Sequence, residues 1–128
     1  MEKTKILIVD DSELTLAKTA DVLEAEGYMV HTTSTAEDAF GEVLRKRPDV
    51  LLLDIMMPGI DGIEICSNLK KNSLTKDIAI IIYSGKKDVE LMDLCFAAGA
   101  DHYVLKSSDM SLLIKTIKEI VKQKSVLY

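Results

Sequence analysis

The sequence predicts an α/β fold, a doubly wound sheet of five parallel strands with five helices on its two faces. Short apolar runs rich in β-branched residues recur along the chain, and a helix-like stretch follows each of them, which is the pattern of repeated βα units. The first, third and fourth runs are apolar almost throughout, which is typical of central strands covered on both faces. The predicted strands are Ile6–Val9, a weaker Tyr28–Thr32, Val50–Leu53, Ile78–Tyr83 and Tyr103–Leu105.

Capping residues mark the first two helices. Ser12 is placed to cap the first helix and Gly27 to end it. Ser34 or Thr35 is placed to cap a second helix that stops before Pro48. The first helix shows no single apolar stripe, so the sequence leaves open which of its faces is buried.

The last two helices have clearer patterns. The fourth, expected at about 86–98, carries too many apolar residues for one buried stripe, so part of it is predicted to be an exposed partner surface. The fifth is entered through Ser108 or Asp109 and has apolar residues at helical spacing, which predicts docking on the sheet. These residues are Met110, Leu113, Ile114, Ile117, Ile120 and Val121.

Length and composition predict one soluble domain. Residues 1–128 are expected to form it, with the fold proper at about 4–123 and no output domain. With 48% hydrophobic and 29% charged residues, no membrane-spanning run and no export signal, the expected location is the cytoplasm. A net charge of -5 argues against direct nucleic-acid binding. Cys66 and Cys95 lack metal-ligand spacing and are expected to be reduced structural thiols.

Polar side chains stand where four of the predicted strands end. The strand order 2-1-3-4-5 is common at this length and brings these ends to one edge, where ligands bind. The first strand is followed by Asp10 and Asp11, the third by Asp54, the fourth by Ser84 and the fifth by Lys106. Three carboxylates at one edge call for a divalent cation or a shared proton, and oxygen ligands from separated strand ends favour Mg²⁺ over Ca²⁺.

Lys106 and Ser84 indicate a second, anionic guest. A phosphoryl group fits, because a metal ion and an ammonium can neutralise its oxygens, a hydroxyl can donate to it and a carboxylate can attack it. Taken alone, Lys106 or any one of the three acids could belong to a structural ion pair at the sheet edge. Their joint placement on four strand ends favours phosphoryl transfer.

Four motifs at these strand ends carry a resemblance to a known family. They are Val9–Ser12, Asp54–Gly62, Ser84–Gly85 and Gly99–Lys106. Together they resemble the receiver domains of bacterial two-component response regulators, especially the chemotaxis-type single-domain members, over nearly the whole chain. The resemblance implies the flavodoxin-like form of the predicted fold.

The resemblance also implies the chemistry of the site. Asp54 would be the phosphoacceptor. Asp10, Asp11, Asp54 and the backbone carbonyl of Met56 would hold Mg²⁺, and Lys106 would contact the phosphoryl group. The protein would then be a signalling switch and not an enzyme, since it catalyses only its own phosphorylation and dephosphorylation.

Two further residues would make the switch. Ser84 would donate a hydrogen bond to a phosphoryl oxygen, and Tyr103 would turn inward behind it, which couples the site to the surface of helix 4, strand 5 and helix 5. The expected partners are a histidine kinase or phosphotransfer protein and a downstream protein target, without nucleic acid or membrane. The expected state is a monomer or weak homodimer.

Ser107 departs from the family pattern, which has a cis proline after the lysine. A non-proline cis bond costs about 3 kcal/mol, so we predict a trans bond here. The change affects the loop before helix 5 and the reach of Lys106. Met56 and Lys86 stand two residues after Asp54 and Ser84, where the family tunes the lifetime of the phosphoryl group.

Three alternatives stay open. An aspartyl-phosphate phosphatase needs a second acid two residues after the nucleophile, where Met56 stands. A flavodoxin-like electron carrier needs a hydroxyl-rich and amide-rich loop for its flavin phosphate, which Asp10 and Asp11 would repel. A degenerate receiver, acting as an unphosphorylated protein-interaction module, would result if Ser107 spoils the geometry of the lysine.

Overall fold

Five strands and five helices alternate along the chain in the computed structural model, which describes residues 3–35, 37–58 and 61–127. The strands are β1 (Lys5–Val9), β2 (Met29–Thr33), β3 (Val50–Leu53), β4 (Ala79–Ser84) and β5 (His102–Leu105). The helices are α1 (Glu13–Ala25), α2 (Ala39–Lys46), α3 (Gly62–Lys71), α4 (Val89–Ala97) and α5 (Ser111–Leu127). All strand pairs are parallel, in the order β2-β1-β3-β4-β5, which confirms the predicted topology.

The sheet separates two apolar clusters. One contains buried residues of α2, α3 and α4, and the other contains buried residues of α1 and α5. Every residue of β3 and β4 is buried, as expected for strands covered on both faces. The open question about α1 is answered by Leu16 and Leu23, which are buried in the second cluster, while Leu14 is exposed.

The beginnings of the helices confirm one predicted cap and correct another. The Ser12 side chain accepts a hydrogen bond from the Thr15 N–H at the start of α1, as predicted. The prediction that Ser34 or Thr35 caps the second helix is wrong, because α2 begins only at Ala39. The Thr35 hydroxyl instead donates to the Asp38 carboxylate at 3.0 Å, so it does not serve the helix backbone.

Several element boundaries differ slightly from the predicted ones. The strands β2 and β4 each lie one residue further along the chain, so that Ser84 is the last residue of β4. Helix α4 begins at Val89 instead of residue 86, because the Asp88 side chain accepts from the Leu91 N–H and caps it there. Gly59 and Ile60, in the motif after β3, lie outside the described residues.

The last two helices have the predicted character. In α5, Leu113, Ile117 and Ile120 are buried against the sheet. Apolar side chains of α4 are exposed, as the excess of such residues in the sequence predicted. We call the surface of α4, β5 and α5 the α4–β5–α5 face, and the exposed apolar residues on these three elements are Val89, Leu94, Phe96, Leu105 and Leu112. Among the described residues, no helix has the length and apolarity needed to cross a membrane.

Gly62 positions the loop between β3 and α3. It is the first residue of α3. Asp61 caps this helix, because its carboxylate accepts hydrogen bonds from the N–H groups of Ile63 and Glu64. A Cβ atom at Gly62 would lie 2.6 Å from the Cγ2 atom of Ile55. Glycine therefore allows the helix to start directly against the residue that follows Asp54.

Candidate functional site

Three carboxylates meet at the carboxyl edge of the sheet. The register that pairs Val9 with Leu53 places the next residues, Asp10 and Asp54, side by side, and the Asp54 N–H donates to the Val9 carbonyl at 2.9 Å. One carboxylate oxygen from each of Asp10, Asp11 and Asp54 lies within 4.8 Å of the others. Asp10 and Asp54 are 2% and 5% exposed, whereas Asp11 faces solvent.

Lys106 lies between the two buried carboxylates. Its Nζ atom is 2.7 Å from Oδ2 of Asp10 and 3.0 Å from Oδ2 of Asp54. Burial acts to lower the pKa of Lys106, but the hydrogen bonds and charges of Asp10 and Asp54 outweigh it and raise the pKa above its ordinary value. The lysine is therefore held in its charged form.

Backbone donors hold the other oxygens of these carboxylates. The Ser12 N–H donates to Oδ1 of Asp10 at 2.9 Å, and the Met56 N–H donates to Oδ1 of Asp54 at 2.8 Å. Each buried carboxylate is thus bound by an amide on one oxygen and by the ammonium on the other. The second bond also brings the backbone of residue 56 beside Asp54, while the Met56 side chain is exposed.

The charges at this edge do not cancel. Three carboxylates and one ammonium carry a formal charge of −2. Divalent cations prefer carboxylate oxygens, and the exposed Asp11 lies on the side open to solvent. The donor set and its excess charge therefore fit a hard divalent cation such as Mg²⁺.

Ser84 and Tyr103 are linked through one residue. Ser84 is fully buried, and its hydroxyl oxygen accepts from the Lys86 N–H at 3.2 Å. The hydroxyl of the half-buried Tyr103 donates to the Lys86 carbonyl. Both ends of residue 86 are therefore bonded, one to Ser84 and the other to Tyr103.

The loop after β5 carries Lys106 into the site. The Lys106–Ser107 peptide bond is trans, as predicted. The Lys106 N–H donates to the Ser84 carbonyl at 2.8 Å, which extends the β4–β5 ladder by one bond. Further along, the Ser107 hydroxyl oxygen accepts from the Asp109 N–H, and Oδ1 of Asp109 accepts from the Ser111 N–H where α5 begins.

Comparison with known families agrees with this arrangement. The family model described as the response regulator receiver domain matches residues 6–118. The chain belongs to the response regulator receiver domain family. Receiver domains act in phosphorelay signalling by two-component systems, and they are signalling switches, not enzymes in the ordinary sense.

This chain has relatives of similar sequence that align with nearly all of it. It is 33% identical over 118 residues to the phosphate regulon transcriptional regulatory protein PhoB of Pseudomonas aeruginosa, covering 92% of this chain and 52% of the relative. It is 36% identical over 122 residues to the probable transcriptional regulator ycf27 of Guillardia theta, covering 94% of this chain and 46% of the relative. The chain therefore spans about half the length of these curated relatives.

Solved structures give the same picture of the fold. A CheY-like response regulator receiver domain protein from Methanospirillum hungatei superimposes with a TM-score of 0.88 at 30% identity, over 97% of this chain and 98% of that one. The response regulator TrrA from Thermotoga maritima, solved in complex with Mg²⁺ and BeF, gives 0.82 at 32% identity, over 91% and 98% of the two chains.

The structure brings Asp10, Asp11, Asp54 and Lys106 together, and it links Ser84 to Tyr103. It also adds contacts that the sequence did not indicate. Lys106 bonds Asp10 as well as Asp54, whereas the family resemblance implied only a metal-binding role for Asp10. Lys86 joins Ser84 to Tyr103 through backbone atoms, which no side-chain pattern can reveal. Tyr83 stands directly before Ser84, but in the sequence it reads only as part of an apolar strand.

Proposed function

We propose that this receiver domain accepts a phosphoryl group on Asp54 from a histidine kinase or phosphotransfer protein, in a Mg²⁺-dependent reaction, and signals through its α4–β5–α5 face. The observation that carries the proposal is the lysine shared by two buried carboxylates, beside a third carboxylate open to solvent. An ordinary structural ion pair has no need of the two extra acids. A site that receives both a cation and a phosphoryl group needs all of these groups.

The metal would be held by Asp10, Asp11, Asp54 and the backbone carbonyl of Met56. The excess charge of the site supports this set, as does the backbone bond that keeps residue 56 beside Asp54. A bound Mg²⁺ supplies positive charge that neutralises phosphoryl oxygens. The related response regulator TrrA, solved in complex with Mg²⁺ and BeF, supports the proposal that this chain also takes a metal ion.

The transfer uses groups of this chain. A carboxylate oxygen of Asp54 attacks the phosphorus of a phosphohistidine, the new P–O bond forms as the P–N bond breaks, and the leaving imidazole takes up a proton. The Lys106 ammonium neutralises charge on the phosphoryl oxygens. The Ser84 hydroxyl accepts one hydrogen bond and keeps its own hydrogen to donate to the phosphoryl group. Hydrolysis of the acyl phosphate later restores Asp54 and releases phosphate.

Signalling would follow from the bonds to residue 86. A Ser84 hydroxyl that turns toward a phosphoryl oxygen changes its bond with the Lys86 N–H, and the Lys86 carbonyl is the acceptor for Tyr103. Tyr103 lies on β5, in the centre of the α4–β5–α5 face. The exposed apolar side chains of that face would bind a downstream protein target, with an affinity that depends on the conformation of the face.

Labelling with acetyl phosphate tests the proposal. The wild-type protein should gain one acid-stable, base-labile phosphoryl group only when Mg²⁺ is present, as measured by intact mass. Asp54→Asn should abolish the adduct. Asp77→Asn is the matched control, because Asp77 is exposed at the opposite edge of the sheet and should leave labelling unchanged. Equal labelling of the Asp54→Asn variant would refute the assignment, and no labelling of the wild type would favour an unphosphorylated interaction module.

A further inference from the structure

The edge of the sheet at β2 carries backbone groups that point away from the molecule. β2 is the first strand in the order β2-β1-β3-β4-β5 and pairs with β1 alone. The Met29 N–H donates to the Thr4 carbonyl at one end of β2, and the Thr33 carbonyl accepts at the other end from the residue after β1. Because successive residues of a strand direct their backbone groups to opposite sides, Val30 and Thr32 direct theirs outward. Among the described residues, no hydrogen bond reaches these outward groups.

The sequence of this edge is unusual because it carries no charge. Residues 27–36 contain no Asp, Glu, Lys or Arg, and they are the longest such run in a chain that is 29% charged. The next longest run, 78–85, contains β4, whose residues are all buried. β2 is not buried in this way, since Met29 is 43% exposed and Thr32 is exposed as well. The absence of charge in β2 is therefore not a result of burial.

Proteins usually protect an edge strand against pairing with another chain by a lysine, a proline or a bulge. Met29–Thr33, all of which the structure describes, contains neither of these residues and pairs with β1 in one continuous register. The strand at the other edge, β5, is shorter and lies directly between the charged residues Asp101 and Lys106. The two edges thus differ, and β2 is the one that is open to another strand.

We propose that β2 is a dimerisation surface, on which a second copy of this chain adds its own β2 in antiparallel orientation to form one continuous sheet. A two-fold axis at His31 places Val30 opposite Thr32 of the second copy, and Thr32 opposite Val30 of the second copy. Residues that face each other in this way exchange both of their N–H···O=C bonds. The pairing therefore uses every outward group of Val30 and Thr32 in both copies.

Charge and symmetry both favour a second copy as the occupant. Two molecules that each carry a net charge of -5 repel each other, and an uncharged strand is where they can approach most closely. The facing pairs would be Met29 with Thr33, Val30 with Thr32, and His31 with itself, so no like charges of Asp, Glu, Lys or Arg lie opposite one another. The arrangement is closed by its two-fold axis, which limits the assembly to two copies.

The dimer would present two signalling surfaces at once. The joined sheet runs from β5 of one copy to β5 of the other, so the two α4–β5–α5 faces lie at its outer ends. Neither face takes part in the contact between the copies. One dimer can therefore bind two target molecules, or one target with two binding segments, which raises the apparent affinity without any new contact.

Sedimentation equilibrium tests the pairing. We expect a weak dimer of the wild type with a Kd of roughly 100 µM, because a single pair of short strands makes a small interface. Thr32→Pro removes an outward N–H but leaves the β1–β2 ladder intact, and it should weaken the dimer at least about tenfold. Thr32→Val is the matched control, because it keeps the N–H and a β-branched side chain and should change the Kd by less than about twofold.

A second variant leaves the backbone of the strand unchanged. His31→Lys places two ammonium groups opposite each other at the two-fold axis and should weaken the dimer about tenfold. Part of this loss should return in about 0.5 M salt, which screens the repulsion. Thermal unfolding of each variant checks that it folds.

Amide hydrogen exchange of the wild type gives a test that needs no variant. The amides of Val30 and Thr32 should exchange several-fold more slowly as the protein concentration passes the Kd, while the His31 amide, which faces β1, should not change. A protein that stays monomeric up to about 1 mM would overturn the inference and leave this edge to a strand of another protein. A dimer that Thr32→Pro leaves intact would overturn it as well. These measurements use neither Mg²⁺ nor a phosphodonor, so their outcome is independent of the proposed function.

Discussion

Replacing Lys106 with methionine is expected to destabilise the metal-free protein by about 3 kcal/mol. The change removes one ammonium from two carboxylates that are 2% and 5% exposed. Breaking a buried ion pair from one side costs about 3–5 kcal/mol, because the remaining charge stays buried. The low end applies here, since Asp10 and Asp54 each keep a backbone N–H donor and the lysine side chain is itself 25% exposed.

Magnesium should reverse much of this loss. Lys106→Met changes the formal charge of the site from −2 to −3, which strengthens the binding of a cation, and we expect the affinity for Mg²⁺ to rise about tenfold. A ligand that binds only the folded state stabilises it in proportion to the logarithm of its concentration over its Kd. The wild type should therefore gain less from Mg²⁺ than the variant does.

The pH dependence has a defined sign. The pKa of Lys106 is raised in the folded protein above its ordinary value of 10.5, so its contribution to stability is complete below pH 10.5 and declines as the pH rises through the folded value. The difference between wild type and Lys106→Met should be constant from pH 7 to 10 and should shrink above that range.

Urea unfolding followed by circular dichroism measures these differences, with and without Mg²⁺. Lys76→Met is the matched control, because Lys76 is exposed near the opposite edge of the sheet and its loss should change stability by less than about 0.5 kcal/mol. A loss below about 1 kcal/mol for Lys106→Met without Mg²⁺, or an equal loss with and without it, would show that the lysine does not balance the charges of this site.

Three other tests address separate features of the molecule. Asp11→Asn should weaken Mg²⁺ binding about tenfold while leaving metal-free stability unchanged or slightly higher, because it removes an exposed charge that repels two others; titration calorimetry with unchanged affinity would contradict this. Gly62→Ala should destabilise by about 1–3 kcal/mol in urea, since its Cβ would lie 2.9 Å from the Ile55 Cα, whereas Gly41→Ala inside α2 should stabilise by about 0.5–1 kcal/mol. Burial raises the pKa of Cys66 to about 11, so its thiol should resist iodoacetamide at pH 8 in the native protein and react once unfolded, as read by intact mass; rapid native alkylation would contradict the burial.

The sequence predicts most of this fold because buried positions in the sheet require apolar residues. Successive residues of β3, such as Leu51 and Leu52, lie in the two apolar clusters on opposite faces of the sheet, so the strand stands out as an apolar run. The buried face of α1 is hidden for the opposite reason. Thr19 is buried between Leu16 and Leu23, and this polar residue interrupts the stripe that periodicity would otherwise show.

The site could be predicted as a set of residues but not as a set of bonds. The parallel strand arrangement brings Asp10, Asp54 and Lys106 to one edge of the sheet, and that arrangement can be predicted from the repeated βα pattern. Which carboxylate the lysine contacts depends on the path of the loop after β5, and the structure shows it bonded to both. The predicted cap of α2 was wrong for a similar reason. The Thr35 hydroxyl bonds the side chain of Asp38, three residues further along, and not the helix backbone.

Sharing one ammonium between Asp10 and Asp54 makes the two acids competitors. Whatever alters the charge of Asp54 also alters how tightly Lys106 holds Asp10, and Asp10 in turn accepts from the Ser12 N–H at the entrance to α1. A change in the charge of Asp54 would therefore also be felt at the first turn of α1, on the face of the sheet that α1 shares with α5.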